Sequence, residues 1–212
     1  MKAQLLLAVA ALAVVACGQG ASPTPATSTA ADASALTLSC ADFAGATPTT
    51  LTERFGAENV TTQTMPGPEG ESYEATLVYA NDPTRRLELT WTEDHSALAS
   101  AMVSTVGTQW RGAEGYTIGT PIADIERLNV MPFKLWGFDW DYGGWVSDWN
   151  VGRFSQSLVP GCTVRMRFDP RSQTNTSSAS GDSEFASNDP AMRAADPAVA
   201  AFGLLFGSAD PE

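Results

Sequence analysis

Cys162-Thr163-Val164-Arg165-Met166-Arg167-Phe168 places Cys, Val, Met and Phe at alternate positions, with Thr and Arg between them. A period of two marks a strand with one face in a core and the other toward water. Leu87, Leu89 and Trp91 alternate with Glu88 and Thr90 in the same way. Working outward, strands are expected at 60–65, 73–80, 86–92, 98–106, 133–140, 145–150 and 153–158. Short polar turns such as Asn81-Asp82-Pro83-Thr84 separate them, so neighbours should be antiparallel and form meanders.

Two stretches read as short helices that introduce these meanders. Thr47-Pro48-Thr49-Thr50-Leu51-Thr52-Glu53-Arg54-Phe55-Gly56 aligns without gaps on Thr120-Pro121-Ile122-Ala123-Asp124-Ile125-Glu126-Arg127-Leu128-Asn129. Each pairs a Thr cap with Pro at the first helical position and a Gly or Asn stop. The expected fold class is α+β, mainly antiparallel sheet with short helices and a possible tandem repeat of helix plus β-meander; two independently capped helices are the competing explanation. The pattern resembles, weakly, the helix-plus-sheet repeats of beta-lactamase-inhibitor-protein-like domains and small outer-membrane-assembly lipoproteins. Ile118 to Gly144, with its Phe-x-Leu-x-Gly-Phe-x-Trp-Asp-Tyr-Gly-Gly run, also resembles a segment of uncharacterised exported bacterial proteins. Neither resemblance supplies a catalytic motif.

Near the N-terminus, Lys2 precedes an apolar run from Leu5 to Ala16. That run is too short to span a bilayer but suits a signal-peptide core. It ends in Val14-Val15-Ala16-Cys17, which resembles the bacterial lipobox. The resemblance implies cleavage before Cys17 and lipid on its sulfur and new amine, an anchor of several acyl chains. Gly18 after the Cys, by resemblance to Gram-negative sorting, favours a periplasm-facing outer membrane over another envelope membrane. Residues 18–37 are Ala, Ser, Thr, Pro and Gly with almost no large apolar side chain, a composition that suits a flexible tether. The expected organisation is therefore signal peptide 1–16, lipidated Cys17 and tether 17–37, and globular domain 38–171. A polar loop at 172–189 follows. Residues 190–212 then hold a short helix capped by Asp189 and a final strand from Val199 to Phe206.

The 212 residues carry 24 acidic and 12 basic side chains, a net charge of −12. Removal of Lys2 with the signal peptide makes the chain one unit more acidic. Phosphate recognition needs a basic footprint, so nucleic acid is excluded as a partner. The expected contacts are the membrane, through the lipid on Cys17, and an envelope protein or glycan. With Cys17 lipidated, Cys40 and Cys162 remain, and a pair in an oxidising compartment bridges; a catalytic thiol is the competing reading. The single His95 lies in the polar Thr92-Glu93-Asp94-His95-Ser96 and reads as a surface residue. The chain has no nucleophile elbow, phosphate loop, His-Glu-x-x-His or Cys-x-x-Cys motif. No catalytic residue, cofactor or metal ligand is assigned.

The most distinctive run is Phe133 to Asn150, FKLWGFDWDYGGWVSDWN. A hairpin closed at Asp141-Tyr142-Gly143-Gly144 would face Trp140 with Trp145, Phe138 with Ser147 and Trp136 with Trp149. All six would then share one face. That face is either core, covered by the 122–129 helix, or a platform for sugar, peptide or protein. Trp136, Trp140, Tyr142, Trp145 and Trp149 are accordingly the candidate binding residues. Asp139-x-Asp141-x-Gly143 invites a calcium reading. However, Gly143 sits at the third ligand position and Asn150 where an acid should close the loop, so a solvated turn is favoured. The functional expectation is a lipid-anchored envelope lipoprotein acting as a non-catalytic binding or structural module. The alternative is a carboxylate-dependent envelope hydrolase.

Overall fold

A computed structural model describes residues 36–156, 159–171 and 176–207. The expected signal peptide, the lipidated Cys17 and nearly all of the tether lie outside the described residues.

The fold is α+β. The chain opens with β1 (Thr37–Leu38), α1 (Cys40–Phe43) and α2 (Pro48–Phe55). The start of α2 follows from its sequence. Thr47 accepts from the Thr50 amide, Thr50 Oγ1 accepts from the Thr47 amide, and Pro48 occupies the first turn. These satisfy N–H groups that a helix start leaves unpaired. Leu51 and Phe55 face inward; burying each contributes about 1.5–3 kcal/mol. Phe55 and Phe43 both pack against the fully buried Trp110, and the Arg54 guanidinium lies 4.9 Å from each Phe ring centre.

Four antiparallel strands follow: β2 (Val60–Pro66), β3 (Ser72–Val78), β4 (Leu87–Trp91) and β5 (Leu98–Val103). Leu87 and Leu89 are buried as their alternation requires. After the two-residue β6 (Arg111–Gly112), α3 (Ile122–Asn129) begins the second half. Its entry differs from the expected one. Pro121, not Thr120, is the cap residue, because the Thr120 hydroxyl is engaged by the Thr117 amide.

The strands after α3 are β7 (Lys134–Trp136), β8 (Val146–Asp148), β9 (Cys162–Pro170), β10 (Glu184–Ala186) and, after α4 (Pro190–Ala195), β11 (Pro197–Phe206). The large sheet has the order β2-β3-β4-β5-β11-β9, and a small one the order β10-β7-β8. The two meet where Trp145 bridges Arg167 and the Phe168 amide donates to the Gly144 carbonyl at 2.9 Å. Each of α2 and α3 is thus followed by antiparallel strands, β2–β5 after the first and β7–β11 after the second, and β5 and β11 lie side by side.

Three local expectations change. Residues 153–155 form a 3₁₀ turn instead of a strand, and β5 ends at Val103. The polar segment 172–189 contains β10, which pairs with β7. Asp189 caps α4 as expected, accepting from the Ala191 amide at 2.7 Å.

Cys40 and Cys162 form a disulfide, with Cα atoms 5.9 Å apart and a sequence separation of 122. It ties the first residue of α1 to the first of β9. Among the described residues no helix is long and apolar enough to cross a membrane.

Candidate functional site

The aromatic run does not close in the expected register. Lys134 pairs with Asp148 and Leu135 with Val146, with a bulge between them. The Trp136 amide donates to Trp145 O and the Gly144 amide to Trp136 O. Phe138 causes the shift. Its amide donates to Ala179 O at 2.8 Å, its carbonyl accepts from the Gly181 amide, and its ring is buried. Residues 137–138 therefore pair with the segment after 176 and leave β8, which lengthens the loop. Gly144 ends that loop at φ 75°, and a Cβ there would strike the Phe168 carbonyl.

The five candidate aromatics are consequently dispersed. Trp149 is core: its ring centre lies 4.9 Å from Phe133 and 4.9 Å from Phe154, and its Nε1 donates to Val164 O. Trp136 and Trp145 are half-buried. Arg165 lies over the Trp145 ring at 4.3 Å, where burial lowers the pKa of its guanidinium. Trp140 and Tyr142, 57% and 62% exposed, stand out at the tip. Beside them is a cavity of about 400 Å³ bounded by Asp139, Trp140, Asp141, Arg167 and Asp169. Arg167 grips Asp169 with two hydrogen bonds of 2.7 and 3.1 Å, and Ser180 donates to Asp139. This tip offers exposed π-faces next to oxygen acceptors.

His95 is remote from it. It sits exposed in a turn at φ 55°, 3.9 Å from Glu74. The adjacent Asp94 is held down to about 2 by the Thr92 and Ser96 hydroxyls and the Ser96 amide. Those are local turn hydrogen bonds. Among the described residues no three of His, Cys, Asp and Glu gather as a metal site.

A second, larger concavity of about 680 Å³ lies between α1 and the 129–131 and 151–154 turns, and no motif announces it. Its floor is Leu38, Phe154, Val164 and Leu204, and its lips carry Val130, Met131 and Val151. Val130 and Val151 are 75% and 79% exposed, at φ 69° and 51°. A branched residue in the left-handed region is strained by about 1–3 kcal/mol. Asn129 holds both lips in place. Fully buried, it donates to Met131 O at 2.8 Å and Trp149 O at 3.0 Å, and accepts from the Phe154 amide at 3.1 Å. Gly152 leaves room for it, since a Cβ there would collide with the Asn129 amide.

Tyr116 lines this groove and is 3% exposed, edge-on to Phe154 and Phe202. Burial, reinforced by the nearby Glu114 charge, pushes its phenol up. No described residue hydrogen-bonds its hydroxyl, yet the oxygen is not sealed from solvent. At the rim, Arg153 Nε lies 3.4 Å from Glu114 Oε1.

Sequence reasoning missed the groove because its walls come from segments far apart in the chain. The available signals were Val130-Met131 and Val151, apolar residues in turns where polar ones are the rule.

Comparison of the chain with protein-family models, with curated proteins and with solved structures gives no match.

Proposed function

We propose that the protein is a lipid-anchored envelope lipoprotein whose folded part is a non-catalytic binding module. Its presenting surface is the 138–145 tip, and its partner is a neutral or amino-sugar glycan of the envelope. The observation that carries this reading is the pair Trp140 and Tyr142, exposed beside a cavity walled by Asp139, Asp141 and Asp169. An indole face attracts the polarised C–H groups of a sugar ring, and carboxylates accept from its hydroxyls. An acidic wall on a chain of net charge −12 repels anionic polymers. The lipobox and the tether composition support the anchor, and the Cys40–Cys162 bridge fits an oxidising compartment.

The hydrolase alternative fits this site less well. A glycosidase needs two carboxyl groups flanking the bond, one free to deliver a proton. Here Asp169 is gripped by Arg167 and Asp139 is engaged by Ser180.

Binding to immobilised chito-oligosaccharides and to purified cell-wall glycan tests the reading. Trp140→Ala is expected to weaken binding about tenfold or more, as for an exposed aromatic anchor, and Tyr142→Ala by less. Unchanged binding in both variants would remove this surface as the site.

A further inference from the structure

We propose that the groove between α1, the 129–131 turn and the 151–156 turn holds the acyl chain of a zwitterionic lysophospholipid drawn from the membrane. At about 680 Å³ it is the size of a single small-ligand site, and its floor is apolar. Three features define the head group. The Tyr116 hydroxyl, on an almost wholly buried ring that lines the groove, has no partner among the described residues and would donate to an ester or glycerol oxygen. Arg153 and Glu114, 3.4 Å apart at the rim, form a plus–minus pair. A phosphate beside Arg153 and an ammonium beside Glu114 complete a four-charge square, which neither a fatty acid nor a neutral alcohol can do. The overall negative charge also disfavours a purely anionic head.

The membrane as source rests on the anchor reading of Cys17. Leu36 leads directly into Leu38–Ala41, which form one wall, and the residues before it are those read as a tether to lipid at Cys17. On that reading the groove belongs to a domain held beside the bilayer that supplies the lipid. The strained, exposed Val130 and Val151 widen the apolar lips where Gly would have been free of strain. Only the supply of lipid rests on the anchor reading; the recognition does not involve the aromatic tip.

The test uses the full chain carrying Cys17→Ser, which has no acyl group of its own. Palmitoyl-lysophosphatidylethanolamine below its micelle concentration is titrated by calorimetry. Saturable one-to-one binding is expected. Arg153→Gln and Glu114→Gln should each weaken it about tenfold, and palmitate should bind at least about tenfold more weakly. Ala113→Trp and Ala41→Trp, which fill the groove from exposed positions, should abolish it while keeping the wild-type melting temperature. Trp140→Ala should bind as wild type, which separates failure here from failure of the glycan reading. Absence of saturable binding, indifference to both Trp fillings, or palmitate binding as tightly as the lysolipid would each overturn the proposal.

Discussion

Breaking the Cys40–Cys162 bridge with a Cys40→Ser, Cys162→Ser double variant is expected to lower the unfolding free energy by about 4–5 kcal/mol. The expectation comes from chain length. The bridge closes a loop with a sequence separation of 122, so its loss returns the entropy of a long loop to the unfolded chain. For a domain of this size the melting temperature should fall by about 10–15 °C. The effect is amplified by position. Cys162 is buried at the start of β9, an edge strand of the large sheet, and Cys40 carries α1, whose Phe43 packs on Trp110. Releasing α1 frees one wall of the groove as well. Urea titration of oxidised and reduced protein checks this; a difference below about 1 kcal/mol would mean the sheet holds α1 without the covalent tie.

Asn129→Ala should cost about 3 kcal/mol, which is unusual for a residue without a large apolar side chain. The variant strands a buried Phe154 N–H and removes a donor from the Met131 and Trp149 carbonyls. Leaving buried groups unpaired costs about 1–3 kcal/mol apiece, moderated by any water that enters. The second consequence is local. Asn129 ties the two turns to each other through one side chain, so both should relax without it. Amide exchange over 130–132 and 150–155 should accelerate well before the rest of the sheet opens. Asn150→Ala removes one side-chain hydrogen bond among the described residues, to Pro132 O, and leaves Ala at φ 52°, and should cost about 1–2 kcal/mol. Equal effects from the two substitutions would deny Asn129 its special place.

The Cys40–Cys162 bridge and Asn129 mark what could and could not be read from the chain. The Cys pair was legible because three cysteines, once Cys17 is read as the lipidated one, leave a single pairing. The capped helix at Pro48–Phe55 and the Leu87–Trp91 and Cys162–Pro170 strands were legible because their signals are local: a cap, a Pro, a period of two. The register of the aromatic hairpin was not. It depends on Phe138 choosing the 179–181 backbone over β8, a competition between segments more than 40 residues apart. Asn129 reads as a helix stop, and it does end α3. Its triple hydrogen bonding belongs to loops that come together only in the folded chain. The groove escaped for the same reason. Tyr116, Arg153 and Leu38 share no local pattern, and the hints were the apolar Val130-Met131 and Val151 in turn segments.

The most direct test of the lipid-anchored reading is the intact mass of the protein purified from envelope membranes, with fragmentation of its N-terminal peptide. The account predicts a chain beginning at Cys17 that carries diacylglyceryl on sulfur and an acyl group on nitrogen, with the hydrogens of Cys40 and Cys162 lost to their bridge. A chain that begins elsewhere, or one with an unmodified Cys17, would contradict it.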